Sequence, residues 1–332
     1  MNYDSTHPRT EEAAICPSAP FRRRAVIDVG TNSVKLLVAD VGTAVVQPVL
    51  EKSEQTRLGR GFYKTRLLQP DAIAHTARAV AGFSAEAMAL GSTPPRVLGT
   101  SAARDALNAT ELAAALRNAS NLPLEVITGE QEADFAFRGV TSDPALRDSP
   151  LLILDVGGGS TEFIVGRGED RRFARSFELG SVRLLEQFPI GDPPCAAELA
   201  ACRRHVRSFL DREVRLQLEP ALAAARRDGT LSLVGTGGAT TILARMEHRM
   251  TDFDRARIEA LRLSRDRVTD WTNRLWALPL AARKELPGLP PKRADVILFG
   301  AAIYEGVMEC FEIPDLRVST RGLRFGALMA AG

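Results

Sequence analysis

The chain has 332 residues, of which 45% are hydrophobic and 25% are charged, and these proportions exclude a collagen-like, coiled-coil or fully disordered protein. The length predicts two domains, because one hydrophobic core seldom serves so many residues. The 43 basic and 41 acidic residues leave a net charge of +2, which is too small to indicate nucleic acid or a membrane surface as a partner.

Cysteine and histidine form no recognisable chemical motif in this sequence. The four cysteines contain no CxxC pair and the four histidines lie far apart, which disfavours both zinc binding and a cysteine–histidine nucleophile. No apolar run approaches the length of about 18 residues that a membrane span needs, and the first residues lack the apolar core of a signal peptide. We therefore expect a cytoplasmic protein with free thiols.

The first part of the chain predicts a tail followed by a β-hairpin. Residues 1–23 mix Pro, Thr, Glu and Ser without periodicity, which predicts a flexible tail. From Arg24, AVIDVG and VKLLVADV predict two strands that are joined by a turn at Thr31–Ser33. Helical periodicity then runs through residues 70–90 and ends at Gly91.

The strand–turn–strand pattern of the opening occurs a second time, in LLILDVGGGSTEFIVGRG. Asp28–Ser33 and Asp155–Ser160 share the pattern D-V-G-x-x-S and lie 127 residues apart, about one domain length. A third glycine turn, Gly235–Gly238, lies between helical segments at 193–228 and 253–285. The repeat predicts two related α/β domains in tandem with a cleft between them.

Loops of this composition suit a phosphate and its cation. They bring backbone N–H groups, hydroxyl groups and a carboxylate together, and glycine lets the backbone approach a ligand closely. A single loop of this kind is more often an ordinary hairpin turn, but its repetition at domain spacing favours a phosphate site. The candidate phosphate-binding residues are Gly30, Thr31, Asn32, Ser33, Gly157, Gly158, Gly159, Ser160, Gly237 and Gly238.

Two carboxylates flank the second of these loops. Asp155 and Glu162 lie seven residues apart on strands joined by a turn, so we expect their side chains to converge. Such hard oxygen ligands suit Mg²⁺ better than zinc. The alternative is that Glu162 is a solvated strand residue. Asp28 occupies the place of Asp155 in the first copy and is a secondary candidate.

Two further polar clusters have both functional and structural interpretations. Arg104, in GTSAARDA, has the geometry to bind a phosphate with two parallel hydrogen bonds, or it forms a helix-surface pair with Asp105. Glu130–Glu132 follows Gly129 where a strand gives way to a helix. Taken alone, this cluster favours a role in stabilising the helix N-terminus.

Together these motifs resemble the exopolyphosphatase and guanosine-pentaphosphate phosphatase family, within the actin, Hsp70 and sugar-kinase superfold. The resemblance runs from about Arg24 to Gly332 through eight blocks: AVIDVGTNSVKLLVAD, GTSAARDALN, ITGEQEADFAFRGV, LILDVGGGSTEF, ELGSVRLLEQF, VGTGGATT, LPGLPPKRADVILFGAAI and STRGLRFGAL. It implies two tandem RNase H-like domains with an active site in the cleft between them. It also implies that residues 24–128 and 322–332 form the first domain and residues 129–321 form the second.

The resemblance implies a role for each candidate residue. Glu132 matches the general base that orients a water for in-line attack on a terminal phosphoryl group. Asp155 and Glu162 match carboxylates that bind Mg²⁺, with Mn²⁺ as an alternative ion, and Arg104 matches an arginine that clamps phosphate. The two D-V-G loops match phosphate-binding loops. Arg183, in GSVR, matches a position for a further or indirect phosphate contact, as does the third glycine turn.

Two features depart from the family pattern. The family has two adjacent glutamates before the alanine, and the first of them is Gln131 here. The matched base is the second, so we expect activity to persist, with a local pKa changed by the loss of a like charge. The chain also stops after STRGLRFGALMAAG, without the helical HD-type domain of longer members, so we expect short polyphosphate chains as substrates.

The sequence thus predicts a Mg²⁺-dependent exopolyphosphatase that removes the terminal phosphate of inorganic polyphosphate, with guanosine pentaphosphate as a further substrate. Two alternatives remain open. One is a non-catalytic sensor of polyphosphate or the alarmone, supported only by Gln131 and the short C-terminus. The other is an ATP-dependent kinase or ATPase of the same superfold, against which the GEQEA block argues. A homodimer is the default expectation.

Overall fold

The computed structural model of the chain describes residues 21–42 and 45–330. The predicted tail lies outside these residues up to position 20. Regular structure begins at Arg22 rather than Arg24, because the first strand pairs with the second along its whole length. Arg23 reinforces this pairing, with its Nε donating to Asp40 Oδ1 at 2.9 Å.

The described residues form strands, helices and two short segments of other helical type. The strands are β1 (Arg22–Val29), β2 (Val34–Val41), β3 (Val46–Glu54), β4 (Arg96–Gly99), β5 (Leu124–Val126), β6 (Leu151–Val156), β7 (Thr161–Arg167), β8 (Asp170–Phe177), β9 (Ser232–Thr236), β10 (Arg262–Ser264) and β11 (Asp315–Val318). The α-helices are α1 (Phe62–Thr65), α2 (Pro70–Ala89), α3 (Ser101–Asp105), α4 (Ala109–Ser120), α5 (Gly129–Thr141), α6 (Pro144–Arg147), α7 (Ser181–Gln187), α8 (Ala196–Phe209), α9 (Leu216–Arg227), α10 (Gly237–Glu247), α11 (Arg255–Glu259), α12 (Arg265–Ala277), α13 (Leu280–Lys284), α14 (Ile297–Cys310) and α15 (Leu323–Ala330). A π-helical segment, Leu210–Arg215, joins α8 to α9, and a 3₁₀ turn, Pro291–Arg293, precedes α14.

The two sheets have the same strand order. The first runs β3-β2-β1-β4-β5, and the second runs β8-β7-β6-β9-β11 with β10 added at its edge. In the first sheet β1, β2 and β3 are antiparallel neighbours, and β4 and β5 join in parallel. In the second sheet β6, β7 and β8 are antiparallel neighbours, β9 and β11 join in parallel, and β10 pairs antiparallel with β11. The predicted α/β fold with two related RNase H-like halves is confirmed by this repeat. We call each sheet with its helices a lobe.

The central strands follow from their sequences. β6 is an almost continuous apolar run, as expected for a strand covered on both faces, and every residue of it except Asp155 is buried. β1 begins with three arginines, and its second part, Ala25–Val29, is buried. The predicted helix over residues 70–90 is confirmed as α2. The predicted helical segment at 253–285 is interrupted by β10, because this short stretch pairs with β11 at the sheet edge.

Two helices lie between the sheets and pack tightly on each other. Phe135 of α5 joins Leu323 and Phe325 of α15 in the core on one face of the first sheet. Other residues of α5, including Phe137, pack with β6 and β7 of the second sheet. A Cβ on Gly326 would lie only 1.9 Å from the carbonyl oxygen of Phe135, so this helix crossing depends on glycine.

The largest core surrounds the second sheet and includes α8, α9, α12 and the strongly apolar α14. The C-terminal helix α15 contributes to the core of the first lobe, while α5 contacts both lobes. The residue limits of the two domains stay a prediction. No helix within the described residues has the length and apolar character of a membrane span.

Candidate active site

The two predicted glycine turns have the same backbone geometry. We call Gly30–Ser33 the first loop and Gly157–Ser160 the second loop. In the first, the N–H of Gly30 donates to the carbonyl of Ser33 at 3.0 Å. In the second, the N–H of Gly157 donates to the carbonyl of Ser160 at 2.9 Å. Each loop closes one hairpin at the edge of the cleft between the lobes.

The carbonyl groups of the second loop are bound by the start of α7. Ser181 N donates to Gly157 O at 3.0 Å, Val182 N to Gly158 O at 2.8 Å, and Arg183 Nε to Gly159 O at 2.9 Å. A trans peptide points its carbonyl and the following N–H in opposite directions. The N–H groups of Gly158, Gly159 and Ser160 are therefore directed away from α7, which is the orientation that anion binding requires.

The first loop is supported in the same way by residues 57–59. Gly59 N donates to Thr31 O at 2.7 Å, and Arg57 N donates to Asn32 O at 3.1 Å. Glycine is required at position 59, because a Cβ there would lie 2.3 Å from the Thr31 Cγ2. Both loops thus have their carbonyl groups occupied and their next N–H groups turned the other way.

Between the two loops lies a cavity of about 90 Å³. Its lining includes Asp28, Gly30, Thr31, Asn32, Ser33, Glu132, Asp155, Gly157, Gly158, Gly159, Ser160, Glu162 and Gly238. All the candidate residues except Arg104, Arg183 and Gly237 therefore line the cavity, and each of these three lies against a residue that does. Glu132 lies 100 residues after Asn32 of the first loop in the sequence. The two meet in the cavity because α5 packs between the sheets.

Asp155 and Glu162 lie directly opposite each other in the register of β6 and β7. Glu162 is only 1% exposed, so it is not a solvated strand residue. Its Oε1 accepts a hydrogen bond of 2.7 Å from Ser176 Oγ on β8, which orients the carboxylate. Gly237 of the third glycine turn lies against Asp155, since a Cβ there would be 2.3 Å from the Asp155 Oδ1.

Four carboxyl groups line this cavity, of which Asp28, Glu132 and Glu162 are buried and Asp155 is half-buried. Burial, followed by the charge of Glu162, raises the pKa of Glu132 well above its usual range. Burial, followed by the charge of Asp155, raises the pKa of Glu162 to about 7. Burial also raises the pKa of Asp28 and of Asp155. The cavity is therefore a place where added positive charge is strongly favoured.

The donor set fits a hard divalent cation. Asp28 Oδ1 is buried without a hydrogen-bond partner, and Asp155 and Glu162 offer oxygen ligands to the same space. Within the part of the chain that the structure describes, no three His, Cys, Asp or Glu side chains form a ready-made ligand group. This pattern suits Mg²⁺ rather than zinc, because Mg²⁺ is commonly bound by one or two carboxylates together with waters and substrate phosphate oxygens.

Arg104 does not line the cavity but binds Glu132. Its Nη1 donates to Glu132 Oε2 and to the carbonyl of Ile127, both at 3.2 Å. Arg104 Nε also lies 3.5 Å from Asp105 Oδ1, so the surface pair considered from the sequence is present as well. The guanidinium thus fixes the carboxylate of Glu132, while its role as a phosphate clamp stays a prediction.

The helix-capping interpretation of the acidic cluster applies to Gln131, not to Glu132. Gln131 N donates to Thr128 Oγ1 at 3.1 Å, and Thr128 N donates to Gln131 Oε1 at 2.8 Å, forming a capping box. Glu130 is exposed beside Arg171. Gln131 is therefore exposed and points away from the cavity, whereas Glu132 is buried in it.

Sequence reasoning missed two cations at the site. Lys35 lies opposite Asp28 in the register of β1 and β2, and burial lowers its pKa. Arg293 Nη2 donates to Ser33 Oγ at 2.6 Å, and burial lowers its pKa to about 10. A lysine in a strand and an arginine 260 residues from Ser33 carry no local signal of a shared site. Only the fold brings them together.

The cavity opens into a wider cleft of about 750 Å³. Its charged lining has more cations than acids: six cations, namely Lys35, Lys52, Arg245, Lys292, Arg293 and Arg324, and four acids, two of which, Asp28 and Asp155, also line the cavity. Glu51 and Glu54 also reach it, and Gly237 lies on its wall. An extended anion whose terminal group occupies the cavity would therefore meet positive charge along the cleft.

Comparison with known proteins identifies relatives along nearly the whole chain. A family model described as the Ppx/GppA phosphatase family matches residues 37–331. Exopolyphosphatase 2 of Mycobacterium tuberculosis is 35% identical over 327 residues, covering 93% of this chain and 99% of that protein. Exopolyphosphatase 1 of the same organism is 26% identical over 308 residues, covering 92% of this chain and 87% of that protein.

Solved structures agree with these matches. The crystal structure of an exopolyphosphatase from Cytophaga hutchinsonii gives a TM-score of 0.81 at 28% identity, covering 92% of this chain and 96% of that one. An Aquifex aeolicus member of the Ppx/GppA family gives a TM-score of 0.75 at 29% identity, covering 94% of this chain and 97% of that one. The similarity therefore extends over both lobes and the cleft between them.

Proposed function

The chain belongs to the Ppx/GppA phosphatase family, and on that premise we propose that it is a Mg²⁺-dependent exopolyphosphatase. Its substrate would be inorganic polyphosphate, from which it removes the terminal phosphate. The observation that carries the proposal is the cavity between the two loops, which is lined by a buried carboxylate, Glu132, and adjoins a wider cleft with more cations than acids. The names of the M. tuberculosis and C. hutchinsonii relatives support the choice of substrate.

Glu132 is suited to act as general base. Its raised pKa brings proton acceptance closer to neutral pH, where a general base is most effective. The contact with Arg104 fixes its orientation. In the proposed reaction a water attacks the terminal phosphorus in line with the bridging oxygen, and Glu132 accepts the proton of that water. The bond from phosphorus to the bridging oxygen breaks, releasing phosphate and a chain that is one unit shorter.

The two loops would bind the terminal phosphate from opposite sides through their N–H groups. Asp155 and Glu162 would hold Mg²⁺, with Mn²⁺ as an alternative ion. When bound, the cation would neutralise negative charge on the transferring phosphoryl group. Lys35 and Arg293 would stabilise the phosphates that follow, since both reach the cavity and the wider cleft.

We also propose guanosine pentaphosphate as a further substrate. The cleft next to the cavity has a volume of about 750 Å³, within the range of pockets that bind small organic ligands. Its lining combines cations with apolar surface at Phe253, Pro290 and Pro291. A phosphate chain needs only the cations, whereas a nucleoside would also use the apolar part.

The experiment that tests this function measures phosphate release from short polyphosphate, long polyphosphate, guanosine pentaphosphate and ATP, with and without Mg²⁺. The wild type is compared with Glu132→Gln and with the matched control Glu130→Gln, whose carboxylate is exposed on the same helix. We expect Glu132→Gln to reduce turnover at least about 100-fold, because general-base catalysis contributes effects of this size. The control should retain wild-type turnover.

Each other outcome identifies one of the alternatives. Unchanged turnover in Glu132→Gln would remove the assigned role of the base. Tight binding of polyphosphate without release by the wild type would indicate a sensor. Transfer from ATP to an acceptor would indicate a kinase. A homodimer and a cytoplasmic location stay predictions, of which the first is tested by measuring the mass of the protein in solution.

A further inference from the structure

The segments that support the two loops contact each other across the cleft. The first loop is supported by residues 57–59, which lead directly into α1, and the second loop is supported by the start of α7. Glu186 of α7 accepts two backbone hydrogen bonds from the other lobe. Its Oε1 accepts from Gly61 N at 2.5 Å, and its Oε2 accepts from Tyr63 N at 3.1 Å.

Tyr63 continues this connection to the second loop. The Arg183 guanidinium lies over its ring, 4.4 Å from the centroid, while Arg183 Nε donates to Gly159 O. The Tyr63 hydroxyl is buried against the second loop, since a Cβ on Gly159 would lie 2.2 Å from it. One side chain of the first lobe is thus packed on both the loop and the arginine that supports that loop.

We infer that Glu186 is a positioning residue, which fixes the distance between the two phosphate-binding loops by joining their supports across the cleft. This inference rests on the proposed function, in which both loops bind the terminal phosphate. Glu186 lines neither the cavity nor the wider cleft, so it acts through Gly61 and Tyr63 rather than on the substrate. We call the contact of Glu186 with Gly61 and Tyr63 the clasp.

The chemistry of the clasp suits such a role. Gly61 and Tyr63 belong to the N-terminal turn of α1, where backbone N–H groups lack partners within the helix. A carboxylate that accepts from two of them forms charge-assisted hydrogen bonds, which are stronger and shorter than neutral ones. An amide in its place has only one oxygen and directs an NH₂ group at one of the two donors. The substitution Glu186→Gln therefore loosens the clasp without changing the size of the side chain.

The test compares wild type, Glu186→Gln and Glu178→Gln in the full chain. Glu178 is the matched control, because its carboxylate also contacts Arg183, with Nη1 donating to its Oε2 at 2.8 Å, but it is exposed and lies within the same lobe. We measure kcat and KM for polyphosphate hydrolysis and thermal unfolding. We also measure amide hydrogen exchange in peptides that cover residues 30–33, 59–65 and 157–160.

We expect Glu186→Gln to lower kcat about tenfold or more, because small misplacements of groups that orient a substrate are costly to the chemical step. KM should change less than kcat, since each loop keeps its own phosphate contacts. Exchange should rise at residues 59–65 and also in both loops. Glu178→Gln should match the wild type in all these measurements.

The inference is overturned if kcat per folded molecule is unchanged in Glu186→Gln. It is equally overturned if exchange rises only at residues 59–65, since the clasp would then have no effect on the loops. A lower unfolding temperature with wild-type kcat and KM would assign Glu186 a purely stabilising role. If the wild type releases no phosphate from any substrate, the proposed function fails, and the exchange pattern alone decides whether the clasp links the loops.

Discussion

The hairpins β1–β2 and β6–β7 have the same turn but opposite charge at one equivalent position. Asp28 faces Lys35 across the first hairpin, and Asp155 faces Glu162 across the second. The same offset of 127 residues relates Asp28 to Asp155 and Lys35 to Glu162. The same backbone thus carries an acid and a base in one lobe and two acids in the other. Under the proposed function, this difference favours a cation beside the acid pair of the second hairpin and a phosphate contact at Lys35 of the first.

The loops differ in side-chain size for a related reason. The first loop has Thr31 and Asn32 where the second has Gly158 and Gly159. A Cβ on Gly158 would lie 3.0 Å from the Thr31 Cβ, so the two loops approach each other too closely for side chains on both. The close approach therefore requires glycine in the second loop opposite the side chains of the first.

The largest effect is expected at the acid pair. Glu162→Gln removes one of the two proposed cation ligands, and we expect Mg²⁺-dependent turnover to fall at least about 100-fold, more than the loss of a residue that only orients a ligand. The measurement is turnover as a function of Mg²⁺ concentration. Glu169→Gln is the control, because Glu169 lies in the turn between β7 and β8 and its side chain is 91% exposed. An unchanged requirement for Mg²⁺ would end the assignment of the cation to this lobe.

An intermediate effect is expected at the equivalent lysine. Lys35→Met removes a half-buried cation and leaves Asp28 without its cross-strand partner. We expect KM for polyphosphate to rise about tenfold, the size of effect that a charged hydrogen bond supports, with the Mg²⁺ requirement unchanged. Steady-state kinetics at several Mg²⁺ concentrations separate an effect on KM for polyphosphate from an effect on the Mg²⁺ requirement. The control is Lys284→Met, because Lys284 is exposed. A shift in the Mg²⁺ requirement instead of KM would contradict the proposal that Lys35 contacts phosphate while the second hairpin holds the cation.

The smallest effect is expected outside both hairpins, at Gln131. Gln131→Glu introduces the residue that is usual in the family, yet Gln131 is exposed and caps α5 through Thr128. Glutamate fills the same role in a capping box, so we expect turnover within about twofold of the wild type. Measured kcat and the denaturant midpoint test this. A tenfold change in kcat would mean that the charge at position 131 reaches Glu132.

The fold was largely predictable because its signals are local. Apolar residues before a glycine turn identified β1 and β6. The seven-residue spacing of Asp155 and Glu162, in a hairpin, predicted that their side chains converge, and the two residues are paired across β6 and β7. The rest of the site depends on tertiary contacts. Lys35 reads as an ordinary strand residue until its partner Asp28 is known to be buried. Arg293 and Arg324 approach the first lobe from the far end of the sequence.

Glu132 illustrates the same limit. From its neighbours it is one of three polar residues at a helix start, and the capping box shows that this interpretation is right for Gln131. Its burial arises only because α5 lies between two sheets. The resemblance to a family supplied the role of Glu132 in advance, and the residue pattern alone did not.

The packing of α15 has a consequence for the synthesis of the protein. This helix completes the core beside β1, and Arg24 Nη1 donates to the carbonyl of Leu328 at 3.2 Å, across 304 residues of sequence. Because β1 is synthesised long before α15, the part of the first sheet's apolar face that α15 covers stays uncovered until α15 has been made. The helix that carries Glu132 packs on α15, so its final position is reached at the same late moment. A nascent chain that lacks α15 therefore leaves α5, and with it Glu132, without one of the helices that fix its position.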